Sequence, residues 1–164
     1  IFILLLMISL VAFSVPIYNL FCKVTGYGGT TSYSSEPSLE IIDRDIKIQF
    51  NADVNDSLDW SFTSPKSIQK FKVGENMKVE YSAINQSNKI TTGTATFNVL
   101  PEKVGPYFNK TQCFCFEKQK LNPKEVVKMP VVFYIDPAIA EDPTMEDIET
   151  ITLSYTFFKY IENE

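Results

Sequence analysis

Two cysteines separated by one residue are the side chains of this sequence best suited to chemistry. Cys113 and Cys115 stand in the segment Gln112-Cys113-Phe114-Cys115-Phe116, in a chain with three cysteines and no histidine. Side chains of an extended segment alternate between its two faces, so both thiols would share one face and both phenyl rings the other. Thiolates are soft ligands that favour Cu(I), zinc and iron–sulfur clusters. The spacing therefore predicts a two-thiol metal site on an apolar anchor.

The number of soft ligands discriminates among these metals. A tetrahedral zinc site or an iron–sulfur cluster takes about four protein ligands, more than three cysteines without histidine provide. Cu(I) is satisfied by two or three thiolates, so Cu(I) is the predicted metal. Two other interpretations stay open. The cysteines are small buried hydrophobes, or they form a strained and easily reduced Cys113–Cys115 disulfide in a redox protein.

The composition excludes several classes of function. A net charge of −5 and an isoelectric point near 4.8 provide no basic surface for nucleic acid. The absence of histidine removes the commonest general base and both the Ser-His-Asp and the Cys-His arrangements, so the chain is not predicted to be an enzyme. With 164 residues it has room for one ordinary domain and a short additional element.

The N-terminal segment predicts a membrane anchor. Residues 1–22 contain no charged side chain, and this length matches the roughly 20 residues needed to cross a bilayer. Pro16 would kink or end the helix near its outer end. Cys22 lies at the predicted membrane exit, where it is either a third thiolate ligand or a lone juxtamembrane cysteine open to lipidation. Residues 23–37 are rich in glycine and serine and predict a flexible tether.

The rest of the chain, residues 38–164, is predicted to be one all-β domain. Apolar and polar residues alternate along about seven short segments separated by turn residues, which is typical of an immunoglobulin-like antiparallel β-sandwich. Trp60 is expected in its aromatic core. The strands are expected around residues 46–52, 58–62, 71–73, 77–83, 91–99, 127–135 and 151–157.

Further expectations concern single residues of this domain. Pro130 alternates with the apolar residues of its strand, on the opposite face, and predicts an edge or a bulge. The acidic segment 137–147 predicts a solvated, irregular or briefly helical loop, which could dock a partner. Met77, Met129 and Met145 are potential thioether ligands of copper, although the first two lie on apolar strand faces where packing is favoured. Three Asn-x-Ser/Thr triplets predict exposed sites at Asn55, Asn85 and Asn109.

Several stretches of the sequence carry a resemblance to a known family. They are residues 15–29, 58–60, 104–110, 112–116 and 129–137. With its hydrophobic segment, glycine-rich tether, sandwich and Cys-Phe-Cys-Phe sequence in this order, the chain resembles the CtaG family of cytochrome c oxidase assembly proteins, the copper-delivery factors of bacteria and mitochondria. The resemblance covers nearly the whole chain. Its most specific part is the Cys-Phe-Cys-Phe segment combined with a membrane-proximal cysteine.

The resemblance implies a membrane-anchored Cu(I) chaperone that supplies the copper B centre of cytochrome c oxidase subunit I during assembly. Cys113 and Cys115 would bind copper, Cys22 would be the membrane-proximal thiol, and a homodimer would hold copper between two copies of the motif. The implied partners are oxidase subunit I, an upstream copper donor and the membrane. The implied location is the inner membrane, single-pass, with the C-terminal domain in the bacterial periplasm or, alternatively, in the mitochondrial intermembrane space.

Two rival functions use the same residues differently. A thiol redox protein would keep oxidase or chaperone cysteines reduced through a reversible disulfide between Cys113 and Cys115. A non-metal interaction module would use the acidic loop or a sheet edge, and it would be indifferent to the loss of both cysteines. Copper stoichiometry and the redox state of the cysteines distinguish the three functions.

Overall fold

The structure, a computed structural model, describes residues 2–25, 32–33, 38, 40–112 and 118–161. Within these ranges the chain forms one long α-helix, α1 (Phe2–Thr25), and ten β-strands. Short 3₁₀-helices at Glu102–Tyr107, Pro137–Ala140 and Pro143–Met145 connect strands. The strands are β1 (Ser32–Tyr33), β2 (Ile42–Val54), β3 (Trp60–Thr63), β4 (Ile68–Val73), β5 (Met77–Asn85), β6 (Thr91–Leu100), β7 (Phe108–Gln112), β8 (Gln119–Leu121), β9 (Val126–Ile135) and β10 (Thr150–Lys159).

Alternation of apolar and polar residues explains the longer strands. Along β5, Met77, Val79 and Tyr81 are buried, whereas the intervening Lys78 and Glu80 are exposed. β10 has the same period of two, as expected for a strand with one face on a core. The predicted strands overlap β2, β3, β4, β5, β6, β9 and β10, whereas β1, β7 and β8 are additional.

The strands form two sheets that share one apolar core. The first sheet has the order β1-β7-β9-β5-β3 and the second the order β4-β2-β10-β6-β8, which confirms the predicted all-β sandwich. Most neighbours are antiparallel, but β1 runs parallel to β7 and β2 runs parallel to β10. The predicted antiparallel arrangement is wrong for these two pairs. β10 enters the second sheet from a loop that leaves the first sheet, so no hairpin dictates its direction.

Aromatic side chains from both sheets fill the core. Tyr81 of the first sheet stacks on Phe62 with ring centroids 5.4 Å apart and meets Tyr155 of the second sheet edge-on at 5.1 Å. Trp60 is 6% exposed, and its indole Nε1 donates a 2.7 Å hydrogen bond to Thr91 Oγ1, so its predicted place in the core is confirmed. The methionines considered as copper ligands are buried in the same core: Met77, Met129 and Met145.

The N-terminal helix and the first strand lie near the predicted domain boundaries. α1 continues to Thr25, and β1 pairs with β7 through Ser32 opposite Asn109 and Tyr33 opposite Lys110. Within the described residues, no helix combines the length and the apolar character needed to cross a membrane. Three boundaries stay predictions: the anchor at residues 1–22, the tether at 23–37 and the domain at 38–164.

Two of the three asparagines expected at the surface are buried. Asn85 is 0% exposed and Asn109 is 6% exposed, whereas Asn55 is exposed. The Asn85 amide donates to the carbonyl oxygens of Leu121 at 3.1 Å and Asn122 at 3.0 Å, and its Oδ1 accepts hydrogen bonds from the turn that follows β5. These bonds satisfy a polar side chain inside the protein. The expectation of exposure is therefore wrong at Asn85 and Asn109.

The acidic loop between β9 and β10 is built on capped turns. Asp136 Oδ1 accepts a 3.0 Å hydrogen bond from the Ala138 N–H, and Asp142 Oδ1 accepts a 2.8 Å bond from the Thr144 N–H. Each aspartate caps the start of a 3₁₀-helix. A 2.7 Å bond from the Tyr107 hydroxyl to Asp142 Oδ2 holds the pKa of the Asp142 carboxyl below its usual value. The briefly helical loop is confirmed, and its docking role stays a prediction.

Arg44 of β2 fastens this loop to the second sheet. Its guanidinium donates to the carbonyl oxygens of Met145 at 2.6 Å and Ile148 at 3.2 Å.

We expect Arg44→Met to lower the free energy of unfolding by about 1–3 kcal/mol, because both carbonyls lose a charged donor. Arg44→Lys keeps the charge but lacks the planar guanidinium group, so its free energy of unfolding should lie between those of Arg44→Met and the wild type. Urea unfolding followed by Trp60 fluorescence measures this, and equal stability of Arg44→Met and wild type would refute it.

Candidate metal centre

The cysteines of the predicted metal site fall largely outside the described residues. Cys113 and Cys115 belong to residues 113–117, which lie outside the described ranges, and for Cys22 only the backbone is described, on α1. Among the residues that are described, no three side chains of His, Cys, Asp or Glu come together as a metal site. The candidate centre is therefore defined by the strands that lead into and out of the cysteine segment.

The cysteine segment joins the two sheets. β7 of the first sheet ends at Gln112, and β8 of the second sheet begins at Gln119. β7 lies between β1 and β9, whereas β8 lies beside β6 at the end of its sheet. The thiols therefore belong to a connection between sheets, and two described strands fix where that connection starts and ends.

The ladder of hydrogen bonds that leads to the cysteines becomes irregular just before them. β7 and β9 pair from Phe108 opposite Ile135 to Gln112 opposite Val132, with a shift of register at Thr111. The hydroxyl of Thr111 donates a 3.3 Å hydrogen bond to the Val132 carbonyl oxygen. Such a β-bulge disrupts regular pairing and redirects side chains, and bulges are frequent next to functional sites.

Pro130 removes a hydrogen-bond donor from the same edge of β9. Alternate residues of an antiparallel strand direct their backbone groups to the same neighbour, and Asp136 donates its N–H to the Tyr107 carbonyl on the β7 side at 2.7 Å. By this alternation Val132 and Pro130 also face the β7 side, and proline has no N–H to donate. Within the described residues, β9 is paired at Pro130 with β5 alone, which fits the edge character predicted for this proline.

Two lysines, Lys118 and Lys120, are among the first described residues after the cysteine segment. Lys118 Nζ lies 2.6 Å from the Tyr160 hydroxyl oxygen and 3.9 Å from the centroid of the same ring. Lys120 and Thr92 complete a shallow cavity of about 240 Å³ at this point. Two cations and no carboxylate line this cavity among the residues described.

β1 brings the chain that follows Cys22 to the strand that precedes Cys113. Six residues separate the end of α1 at Thr25 from Ser32, and a chain of that length spans at most about 25 Å. β1 is hydrogen-bonded to β7, so the two strands lie about 4.8 Å apart. The helix that carries Cys22 therefore ends within about 25 Å of β1, the neighbour of the strand from which the cysteine segment departs.

One residue beside the site was not expected from the sequence, namely Lys110. It is 1% exposed, and its Nζ lies over the ring of Phe97 in the opposite sheet. Among the described residues Nζ has no hydrogen-bond partner. Burial lowers the pKa of Lys110 to about 6. The available signal was Phe108, because residues two apart in a strand share a face and Phe108 is buried in the core.

Proteins of one family match this chain along almost all of its length. A family model described as "Cytochrome c oxidase assembly protein CtaG/Cox11" matches residues 14–159, a range that includes Cys22, Cys113 and Cys115. The chain is 50% identical over 163 residues to the cytochrome c oxidase assembly protein CtaG of Ehrlichia ruminantium (strain Welgevonden), covering 99% of this chain and 92% of that protein. It is 49% identical over 152 residues to the cytochrome c oxidase assembly protein ctaG of Reclinomonas americana, covering 88% and 84%. It is 46% identical over 165 residues to the mitochondrial cytochrome c oxidase assembly protein COX11 of Arabidopsis thaliana, covering 95% and 58%.

Proposed function

The chain belongs to the CtaG/Cox11 family of cytochrome c oxidase assembly proteins, and we propose that it acts in this assembly as a Cu(I) chaperone. Cys113 and Cys115 carry copper as thiolates and deliver it to the copper B centre of oxidase subunit I. The observation that carries the proposal is a Cys-x-Cys pair in a chain without histidine. Two soft thiolates without imidazole favour Cu(I) over a four-coordinate zinc site.

The surroundings of the pair support a role in transfer. The pair belongs to a connection between two sheets, and binding residues are often found on such connections because a rigid scaffold holds their ends. The bulge at Thr111 and the missing donor of Pro130 weaken the ladder on the entry side. Both features support a segment that presents its thiols to a second protein.

Transfer proceeds by exchange of ligands in this proposal. Each thiolate leaves Cu(I) as a ligand of the recipient binds it, and the released thiolate takes up a proton from water. Imidazole is also a good copper ligand, so a recipient site with histidines can accept the ion. Cys22 is proposed as a third thiolate that assists this step, since its helix ends within about 25 Å of the sheet edge beside β7.

The proposal includes a location and partners. The charge-free sequence of residues 1–22 supports a single-pass inner-membrane anchor, with residues 38–164 in the bacterial periplasm or in the mitochondrial intermembrane space. The proposed partners are oxidase subunit I, an upstream copper donor and a second copy of this chain that shares the copper. The net charge of −5 argues against nucleic acid as a partner.

Copper binding by the reduced whole chain in detergent tests the proposal. We expect about one Cu(I) per chain with Cu(I)–thiolate absorption, and a dimer that depends on copper. Cys113→Ser and Cys115→Ser should each weaken Cu(I) binding by at least about 100-fold, because each removes a direct ligand. The far-ultraviolet circular dichroism should stay unchanged. Cys22→Ser also removes one thiol, and it should keep copper on the remaining pair while it impairs delivery to the oxidase.

Three results would point elsewhere. Wild-type copper content in both Cys113→Ser and Cys115→Ser would refute the assigned ligands. A metal-free monomer with a reversible Cys113–Cys115 disulfide would support the thiol redox protein instead. Unchanged activity in oxidase assembly after loss of both cysteines would support an interaction module.

A further inference from the structure

Tyr134 of β9 is a buried aromatic side chain that lies outside the apolar core. It is 7% exposed, and it alternates along the strand with Phe133 and Ile135, which belong to the core cluster. Successive side chains of a strand point to opposite faces, so Tyr134 lies on the outer face of the first sheet. Its burial therefore comes from segments that cover this face, and not from the sandwich interior.

A cavity of about 430 Å³ lies beside Tyr134, where the acidic loop leaves β9. Ile42 at the start of β2 and Ala138 of the loop are among the residues that line it. The volume falls in the range of pockets that hold a small ligand. The cavity can therefore accommodate a chemical group as large as an amino-acid side chain.

The Tyr134 hydroxyl is a polar group of this cavity that the described residues leave without a hydrogen bond. Its neighbour in register, Asn109, is also buried, but the Asn109 amide donates a 3.1 Å hydrogen bond to Asp136 Oδ2. A buried hydroxyl without a partner costs free energy. A ligand that enters the cavity and hydrogen-bonds to Tyr134 would recover this cost.

Carboxylates give the cavity a negative charge. Glu40, Asp136 and Glu141 line it, no cationic side chain does so among the described residues, and no described ion pair involves one of the three. Asp136 is held in place, because its Oδ1 accepts the 3.0 Å hydrogen bond from the Ala138 N–H. Glu40 and Glu141 are exposed and can adjust to a ligand. A cleft lined by charges of one sign attracts the opposite charge, so the ligand is expected to be a cation.

The spacing of the carboxylates favours an organic cation over a metal ion. Within the described ranges, no three side chains of His, Cys, Asp or Glu come close enough together to hold a metal, whereas Ca²⁺ takes about six to eight oxygen ligands at short range. A guanidinium group has five N–H donors in one plane and stacks on aromatic rings, so it can contact acceptors that lie further apart. We propose that this cavity binds an arginine side chain of a partner protein. Glu40 and Glu141 pair with the guanidinium, and the Tyr134 hydroxyl oxygen accepts one of its N–H groups.

The partner is a protein other than a second copy of this chain. Arg44 is the single arginine of residues 1–164, and its guanidinium already donates to the carbonyl oxygens of Met145 and Ile148. A net charge of −5 also favours a partner with a positive surface. The cavity contains no cysteine among its described residues, so the inference does not depend on the proposed copper site.

Backbone NMR of the reduced, metal-free whole chain in detergent, titrated with the peptide acetyl-Gly-Arg-Gly-amide, tests the inference. We expect saturable shifts of the amide signals of Tyr134, Asp136 and Ala138, with a Kd on the order of a few millimolar for so small a ligand. The same peptide with citrulline in place of arginine has a similar shape without the charge and should not bind. The lysine peptide has the charge without the planar group, and its Kd should be at least about threefold higher.

Variants of the lining residues assign the binding to this cavity. Tyr134→Phe removes one hydroxyl and no charge, and it should raise the Kd of the arginine peptide about two- to fivefold. Glu40→Gln and Glu141→Gln should each raise the Kd by a similar factor of about two to five, because each removes an exposed carboxylate that pairs with the guanidinium. Glu146→Gln is the matched control, since it removes an exposed carboxylate of the same loop that does not line the cavity. Its effect at 0.15 M salt should stay below about 1.5-fold.

Three results would overturn the inference. Equal shifts with the arginine and lysine peptides, spread over acidic residues outside the cavity, would show only a general attraction of cations to an acidic protein. Saturation of the same amide signals by Ca²⁺ at a lower concentration than the arginine peptide needs would show a metal site. A titration without saturable shifts, or a Kd that is the same in the wild type, Tyr134→Phe and Glu141→Gln, would show that the cavity binds no guanidinium group.

Discussion

Gly74→Ala is expected to lower the free energy of unfolding by more than about 4 kcal/mol. Gly74 has φ = +82°, a left-handed conformation that costs an alanine roughly 1–2 kcal/mol. The larger effect is steric, because a Cβ at this position would overlap the backbone carbonyl of Glu40. The turn cannot easily move away, since the Gly74 N–H donates a 2.8 Å hydrogen bond to the Ile135 carbonyl. This turn also connects β4 of the second sheet to β5 of the first.

Two other variants separate the steric cause from the conformational one. Gly74→Asn accepts a left-handed backbone better than alanine but carries the same Cβ, so we expect a similar loss. Lys124 also has a positive φ, of 62°, and Lys124→Gly should gain up to about 1 kcal/mol. Urea unfolding followed by Trp60 fluorescence measures all three variants. A loss of less than about 1 kcal/mol in Gly74→Ala would mean that the Glu40 backbone moves aside at little cost.

The metal-free chain should become more stable as the pH rises from about 6 to about 10 because of Lys110. The pKa of Lys110 is about 6 in the folded chain, against 10.5 for an ordinary lysine. Over this window the unfolded chain binds a proton that the folded chain does not, so the free energy of unfolding increases with pH. The increase from one such group is at most about 1.4 kcal/mol per pH unit. Lys110→Met should abolish it and be about 1–4 kcal/mol more stable at pH 7.

Urea unfolding of reduced, metal-free wild type and Lys110→Met at several pH values between about 6.5 and 9 tests this dependence. Other titrating groups cancel in the difference, which should shrink as the pH rises. Lys120→Met should differ from wild type by a small amount that does not vary with pH, because this lysine is exposed. A difference between wild type and Lys110→Met that stays constant with pH would contradict a buried neutral amine.

The longer strands could be predicted because each has one buried and one solvated face, as β5 and β10 show. β1 and β8 could not, since strands of two and three residues have too few positions for an alternating pattern. The parallel pairing of β2 with β10 could not be predicted from the sequence either. Which strands become neighbours depends on packing between residues far apart in the chain, and local periodicity does not report it.

The cysteine pair could be proposed as a candidate site from the sequence because residue type and spacing indicate its chemistry without a fold, and its metal binding stays a prediction. Lys110 and Asn85 could not, because both residue types are usually exposed. Contacts from distant segments make their burial acceptable: the Phe97 ring for Lys110, and the carbonyl oxygens of Leu121 and Asn122 for Asn85. Which polar residues are buried in the domain therefore depends on their tertiary partners, and a short sequence motif does not identify those partners.

The central position of β10 sets an order of events during biosynthesis. β10 lies between β2 and β6 in the second sheet, and its pairing of Thr150 with Lys47 joins positions 150 − 47 = 103 residues apart. Contacts of such long range form slowly, and the ribosome releases β2 and β6 well before their common neighbour. A nascent chain that has not yet docked β10 is an unfinished sandwich with two open strand edges. Folding of the domain therefore waits for the synthesis of β10, and a translation product that stops before β10 lacks the central strand of the second sheet.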